Sequence, residues 1–204
     1  WHSDFAVRYS HYIGDLDFAL SHFSGTSRDP LLVFNNNPLD PKLNPVYDTI
    51  DQTGVELQYI YDEWILKFEG ITSSGMNKRF SAAVFGFEYT QVGIFESRAD
   101  LGWILEYLFD DRKNAAPHNF ERDVFAGWRY AFNDADSSEV LAGLIYDPKT
   151  EEVMYSIEAN KRLASDLKLN IEARAFQGAE TGNSLKTFLL RDEDYIQLEL
   201  VKYF

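Results

Sequence analysis

The chain has 204 residues, enough for one domain, and it contains no cysteine, which excludes a disulfide framework and a thiolate metal site. Its 33 acidic residues against 19 basic ones give a formal net charge of −14. That balance disfavours nucleic acid as a partner, because phosphates would be repelled, and it disfavours docking on anionic lipid, which uses basic clusters. Aromatic residues make up 16% of the chain, and no run of about 20 apolar residues predicts a transmembrane helix.

The first alternating segments predict a β-hairpin. In residues 4–13, Phe5, Val7 and Tyr9 share one face, while Arg8 lies on the other. A turn is expected at residues 14–15, and residues 16–25 then alternate again. Period-two alternation on both sides of a two-residue turn containing glycine is typical of a hairpin.

The same pattern continues to the end of the chain. Residues 26–53 are rich in Asn, Asp and Pro and are expected to form a long connection. Nine more strands are predicted at residues 55–61, 64–72, 80–95, 99–109, 123–132, 139–146, 152–163, 167–176 and 194–204. Short and long connections are expected to alternate strictly, as they do in outer-membrane barrels.

These features predict an all-β fold, an antiparallel up-and-down transmembrane β-barrel in which residues 1–204 form a single domain. About eleven strands are visible in the sequence. Bacterial single-chain barrels have even strand numbers. We therefore expect the chain to be the C-terminal portion of a larger barrel with 12 or more strands.

The two faces of the predicted strands differ in character. One face is large and apolar, for example at Leu101, Trp103 and Leu105, and aromatic residues at strand ends are expected to form an interfacial girdle (Tyr61, Trp64, Phe132, Tyr203 and Phe204). The other face carries charge in mid-strand, and these residues are predicted to line a lumen and set its selectivity: Arg8, Glu56, Lys67, Glu69, Glu88, Asp100, Glu106, Arg129, Glu158, Arg162, Lys168, Glu172, Arg174 and Glu199. Two alternatives stay open, namely the solvated face of a soluble sheet and a salt-bridge network that fills a narrow barrel.

The last strand carries a family resemblance. From Asp194 onward Ile196, Leu198 and Leu200 alternate with polar residues, Lys202 stands where an apolar residue is more usual, and Phe204 follows. This segment resembles the C-terminal β-signal of Gram-negative outer-membrane proteins. The resemblance implies recognition by the barrel-assembly machinery, with these four apolar residues as the assembly signal. Residues 86–90, 99–102 and 106–112 are similar to an uncharacterised porin-like proteobacterial family.

Catalytic and metal-binding patterns are weak in this sequence. His11 and His22 each follow a serine, but neighbouring strand residues point to opposite faces, so these pairs cannot readily form a dyad. His2 and His118 lie in no catalytic pattern. Acidic residues near Asp110 and Asp134 are expected at opposite rims, and no loop has the spacing of a calcium-binding EF-hand. We expect no catalytic residues, no metal and no cofactor.

The leading functional expectation is a porin-like channel in the bacterial outer membrane for passive diffusion of small hydrophilic, including cationic, solutes. Residues 26–53 could fold inward as a constriction. The expected partners are outer-membrane lipid and lipopolysaccharide, the assembly machinery and the solutes, with no nucleic acid. One alternative is a plugged structural barrel that displays acidic extracellular loops, and another is a barrel lipid hydrolase.

Overall fold

The computed structural model describes residues 3–35, 42–75, 78–113, 116, 120–178 and 190–204. Thirteen strands account for most of these residues, and a 3₁₀ turn lies at Ile94–Glu96. The strands are β1 Phe5–Ile13, β2 Leu16–Thr26, β3 Leu31–Phe34, β4 Leu43–Val46, β5 Thr49–Tyr61, β6 Trp64–Gly75, β7 Lys78–Gln91, β8 Asp100–Asp110, β9 Arg122–Ala131, β10 Glu139–Tyr146, β11 Val153–Ala164, β12 Leu167–Gln177 and β13 Tyr195–Lys202. No helix in the described part of the chain is long and apolar enough to span a bilayer.

Eleven strands form one antiparallel sheet in the order β1-β2-β5-β6-β7-β8-β9-β10-β11-β12-β13. Each strand pairs with the one that follows it, apart from β3 and β4, which form a separate two-stranded hairpin between β2 and β5. The predicted all-β class, the antiparallel order and the eleven strands of this sheet are therefore confirmed. The first hairpin turns at Gly14, whose φ of 60° lies in the left-handed region that glycine adopts at little cost.

The long connection differs from its prediction. Residues 26–53 were expected to lack strands, but they include β3, β4 and the start of β5, which begins at Thr49. Thr53 pairs with both His22 and Thr72, so the ladder continues before the predicted strand start at Val55 through mainly polar residues. Asn36, Asn37, Pro38 and Asp40 lie outside the described residues.

Strict alternation of short and long connections is wrong. Strands β6 and β7 run on to Gly75 and Lys78, so only residues 76 and 77 join them at an end where a longer loop was expected. At the other end, the connection from β7 to β8 covers residues 92–99 and includes the 3₁₀ turn. The ladder continues because Ser73 pairs with Phe80 and Ser74 with Arg79, and small polar residues do not interrupt strand pairing.

The sheet is a single layer without a hydrophobic core among its described residues. The only buried apolar residues in this part of the chain are Ala19, Ala99 and Ala116, and strands make substantial contact only with their sheet neighbours. The accessible surface is 14312 Å². A compact monomer of 23.6 kDa would expose about 9,800 Å². The fold therefore leaves far more surface exposed than a globular domain of its size.

Candidate functional site

The strand register assigns each sheet residue to one of two faces, because paired residues of an antiparallel ladder point the same way. All fourteen residues predicted to line a lumen lie on the same face, which is called the polar face below. Ile196, Leu198 and Leu200 lie on the other, the apolar face. The register places these side chains, while their role in a lumen stays a prediction.

The first group of charges on the polar face spans β1 to β8. Arg8 on β1 donates to Glu56 on β5, with 2.8 Å between Nη2 and Oε2. The intervening strand β2 presents Ala19 and Ser21 here, and these small side chains let the two long ones meet above it. Lys67 on β6 forms an ion pair with Glu88 on β7. The first pair reaches from β1 over β2 to β5, and the second joins the neighbouring strands β6 and β7.

Glu69 and Glu106 make this first group acidic. Glu69 pairs in register with Glu56, and Glu106 pairs with Gly86, which pairs in turn with Lys67. A Cβ at Gly86 would lie 2.7 Å from the Cγ of Glu106, so glycine makes room for that side chain. The group, called the acidic cluster below, consists of Arg8, Glu56, Lys67, Glu69, Glu88 and Glu106. Four carboxylates thus face two cations, and part of the cluster borders a groove of about 580 Å³.

A second group lies on strands β11 to β13. Arg174 contacts Glu158 at 2.7 Å and Glu172 at 3.5 Å, and the Tyr195 hydroxyl donates to Glu172. Asn170 Nδ2 donates to Glu199 Oε2 at 2.8 Å. These side chains satisfy one another across three strands, beside a groove of about 210 Å³. The arrangement is a local ion-pair and hydrogen-bond network.

Four of the predicted residues do not join either group. Arg162 and Lys168 are register partners, and neither they nor Arg129 form an ion pair with a carboxylate in the described residues. Asp100 instead accepts hydrogen bonds from the backbone N–H of Gly93 at 2.9 Å and from Asn133 Nδ2 at 2.7 Å. Asp100 therefore stabilises two connections at the sheet end. Arg129, Arg162 and Lys168 instead place positive charge without a carboxylate partner among the described residues on the polar face of β9, β11 and β12.

The apolar face carries an aromatic row that sequence reasoning missed. Register partners place Tyr61, Trp64, Tyr89, Trp103 and Trp128 side by side across β5 to β9. The rings of Trp64 and Tyr89 lie 4.6 Å apart. Only Tyr61 and Trp64 belonged to the predicted girdle. The other members are alternating aromatic residues near strand ends, but their alignment depends on the strand register, which cannot be read from the sequence alone.

The histidines show no catalytic geometry in the described part of the chain. His11 packs among the rings of Tyr9, Tyr12 and Phe18. His22 Nδ1 lies 3.0 Å from Thr53 Oγ1, and neither ring has a hydrogen bond to a carboxylate there. His2 and His118 lie outside the described residues. No group of three or more candidate metal ligands occurs within the residues described.

Comparisons with known proteins found no match to a family model, to a curated protein or to a solved structure.

Proposed function

We propose that the eleven-stranded sheet is the wall of an outer-membrane β-barrel, and that its polar face lines a porin-like pathway for small hydrophilic, preferentially cationic, solutes. One observation carries this proposal, namely the inverted exposure along β8. Trp103, Leu105 and Tyr107 on the apolar face are 44%, 39% and 43% exposed, whereas Ile104, Glu106 and Leu108, which alternate with them on the polar face, are less exposed. A water-surrounded sheet would place these faces the other way round, since apolar surface costs about 25 cal/mol per Å² in water. Lipid contact removes that cost.

Strand length and the aromatic row support the same orientation. A transmembrane strand needs about 9–11 residues at a tilt near 45°, and β8 has 11 residues. The row of Tyr61, Trp64, Tyr89, Trp103 and Trp128 lies near one end of its strands, on the face that would contact lipid. Tyr and Trp favour this depth because one end of the ring is apolar and the other can hydrogen-bond to water.

A barrel of this size has room for water. With a strand spacing of about 4.8 Å and a tilt of about 40°, roughly twelve strands give a backbone diameter near 24 Å. Gly86, Gly102, Gly127 and Gly143 all lie on the polar face, so several positions add no side chain to that space. The acidic cluster has more carboxylates than cations, and such a wall favours cation entry.

A plugged barrel is the second candidate, and the ion pairs favour it. Three ion pairs lie on the polar face, namely Arg8 with Glu56, Lys67 with Glu88 and Arg174 with Glu158. Interiors of small barrels are filled by such networks. In that case the molecule would serve as a structural or interaction barrel.

Planar-bilayer recording of the full-length protein separates the two candidates. Folding is first checked by heat-modifiable gel mobility. Stable current steps, with a reversal potential that shows cation preference under a salt gradient, would support the porin-like pathway. A folded protein that gives no current steps in repeated bilayer recordings would refute the porin-like pathway and favour the plugged barrel. Boiled protein is the matched control for contaminating conductance.

A further inference from the structure

The β3–β4 hairpin is an apolar element that stands apart from the large sheet. Strands β3 (Leu31–Phe34) and β4 (Leu43–Val46) form their own two-stranded sheet and make substantial contact only with each other among the described strands. All of their residues are exposed, and Leu32, Phe34 and Leu43 are 57%, 66% and 50% exposed. A lone two-stranded hairpin is marginally stable in water and needs further strands or a packing surface. No other strand of the described chain supplies that support.

The free edge of β3 carries unused backbone hydrogen-bonding groups. In an antiparallel ladder, hydrogen-bonded residue pairs alternate with pairs whose N–H and C=O groups point away from each other. The N–H of Asn35 donates to the C=O of Lys42 at 2.9 Å, which makes these two residues a bonded pair. Counting back along the register, the backbone of Val33 bonds to β4, whereas the N–H and C=O groups of Leu32 and Phe34 point to the free edge. Two donors and two acceptors are thus unused there among the described residues.

The two edges of the hairpin differ in how they are protected against further pairing. Pro45 on β4 is opposite Leu32, so its backbone also faces outward, and proline has no N–H to offer another strand. Strand β3 contains no proline and no charged residue, which are two of the features that keep natural edge strands from associating. The hairpin therefore has a blocked edge at β4 and an open edge at β3.

We infer that β3 pairs antiparallel with β3 of a second copy of this chain. When Leu32 of each copy lies opposite Phe34 of the other, all four outward N–H groups meet all four outward C=O groups. Any shift from this register leaves some of these groups unused. Val33 then lies opposite Val33 of the other copy on the two-fold axis, and every side chain along the junction is apolar.

A second copy fits this edge better than an unrelated strand for two reasons. The edge is its own complement, which is the condition for a two-fold interface between identical chains. In addition, the resulting four-stranded sheet, in the order β4-β3-β3-β4, ends on both sides in a strand that carries Pro45. Pairing therefore stops at a closed dimer and does not continue into a fibre.

Disulfide formation by a single cysteine tests this dimer, because the natural chain contains no cysteine. Val33→Cys is introduced into the full-length protein, which is folded into phosphatidylcholine vesicles and oxidised with copper phenanthroline. Residues that face each other in a non-hydrogen-bonded antiparallel pair have Cα atoms about 4.5 Å apart, within the limit of about 7 Å for a disulfide. We expect Val33→Cys to form a covalent dimer.

Asn44→Cys is the matched control, because Asn44 is the register partner of Val33 on β4 and is also exposed. Across the dimer the two Asn44 residues would be three strand spacings apart, about 14 Å, which is too far for a disulfide. We expect Val33→Cys to give at least about tenfold more covalent dimer than Asn44→Cys. Adding Leu32→Pro to Val33→Cys removes an outward N–H but no hydrogen bond of the hairpin, and it should abolish the cross-link.

Three outcomes would overturn the inference. Equal yields from Val33→Cys and Asn44→Cys would show random collision, and cross-linking that remains after Leu32→Pro would show that the free edge is not used. A Val33→Cys protein that stays monomeric is the third, and it is the result expected if the hairpin folds into its own barrel. Heat-modifiable gel mobility verifies that each variant is folded. The cross-link reports the hairpin whether or not the protein conducts, so its failure is distinguishable from failure of the porin-like pathway.

Discussion

Replacement of Leu105 by arginine tests whether the apolar face contacts lipid. Leu105 is the middle residue of β8, with five strand residues on each side, and it lies between Phe87 and Ala126 on the apolar face. Five residues at about 3.4 Å each, tilted by about 40°, place it roughly 13 Å from either strand end, near the centre of an apolar band about 25 Å tall. We expect Leu105→Arg to lower the free energy of unfolding by about 2–4 kcal/mol.

The magnitude separates lipid from water as the surroundings of this face. An exposed leucine on a water-facing sheet tolerates arginine within about 0.5 kcal/mol. The assay is reversible urea titration of the protein in phosphatidylcholine vesicles, followed by tryptophan fluorescence. Ile104→Arg is the matched control, because the neighbouring residue points to the polar face beside Glu88, where a water-facing charge should cost about 1 kcal/mol or less. Equal and small effects of both substitutions would refute lipid contact of the apolar face.

Three further predictions concern packing, selectivity and pH. Gly143→Val should lower the free energy of unfolding by about 1–3 kcal/mol in the urea assay, because a Cβ there would lie 2.6 Å from a packed phenylalanine ring; Gly102→Ala, with nothing nearer than 3.8 Å, should be much milder, and equal costs would contradict this packing. Glu88→Gln combined with Glu106→Gln should shift the reversal potential toward lower cation preference, and an unchanged potential in a conducting protein would remove both carboxylates from the pathway. The backbone N–H of Ser138, which donates to Asp134 Oδ1 at 2.8 Å, lowers the pKa of this carboxyl. The stabilising effect of the ionised carboxylate is therefore complete above the unfolded pKa of about 3.9 and is lost as pH falls through the folded value. Amide exchange of the 132–138 connection should accelerate over that acid range in the natural protein, and Asp134→Asn should abolish this pH dependence. An identical pH profile for both proteins would count against the hydrogen bond.

Several features of the fold follow from local sequence. Alternation in β10 predicted residues 139–146, and the structure has Glu139–Tyr146. The turn at Gly14 was also predictable, because a glycine between two alternating segments supplies the positive φ of a tight hairpin. Strand ends were less predictable where polar residues continue a ladder. Thr49 and Gly75 belong to strands only because a neighbouring strand offers them hydrogen-bond partners.

Local sequence is enough to predict that strands alternate and which side chains of each strand share a face, because a strand has a side-chain period of two whatever its neighbours are. Which strands are adjacent, and in what register, depends on contacts between residues that are distant in sequence. That is why Arg8 meets Glu56 across 48 residues of chain, why Asp100 stabilises sheet-end connections instead of joining the other carboxylates, and why four tryptophan and tyrosine side chains extend Tyr61 into one row. A one-residue shift of any ladder would move a whole strand's side chains to the opposite face, and long-range backbone pairing fixes that choice.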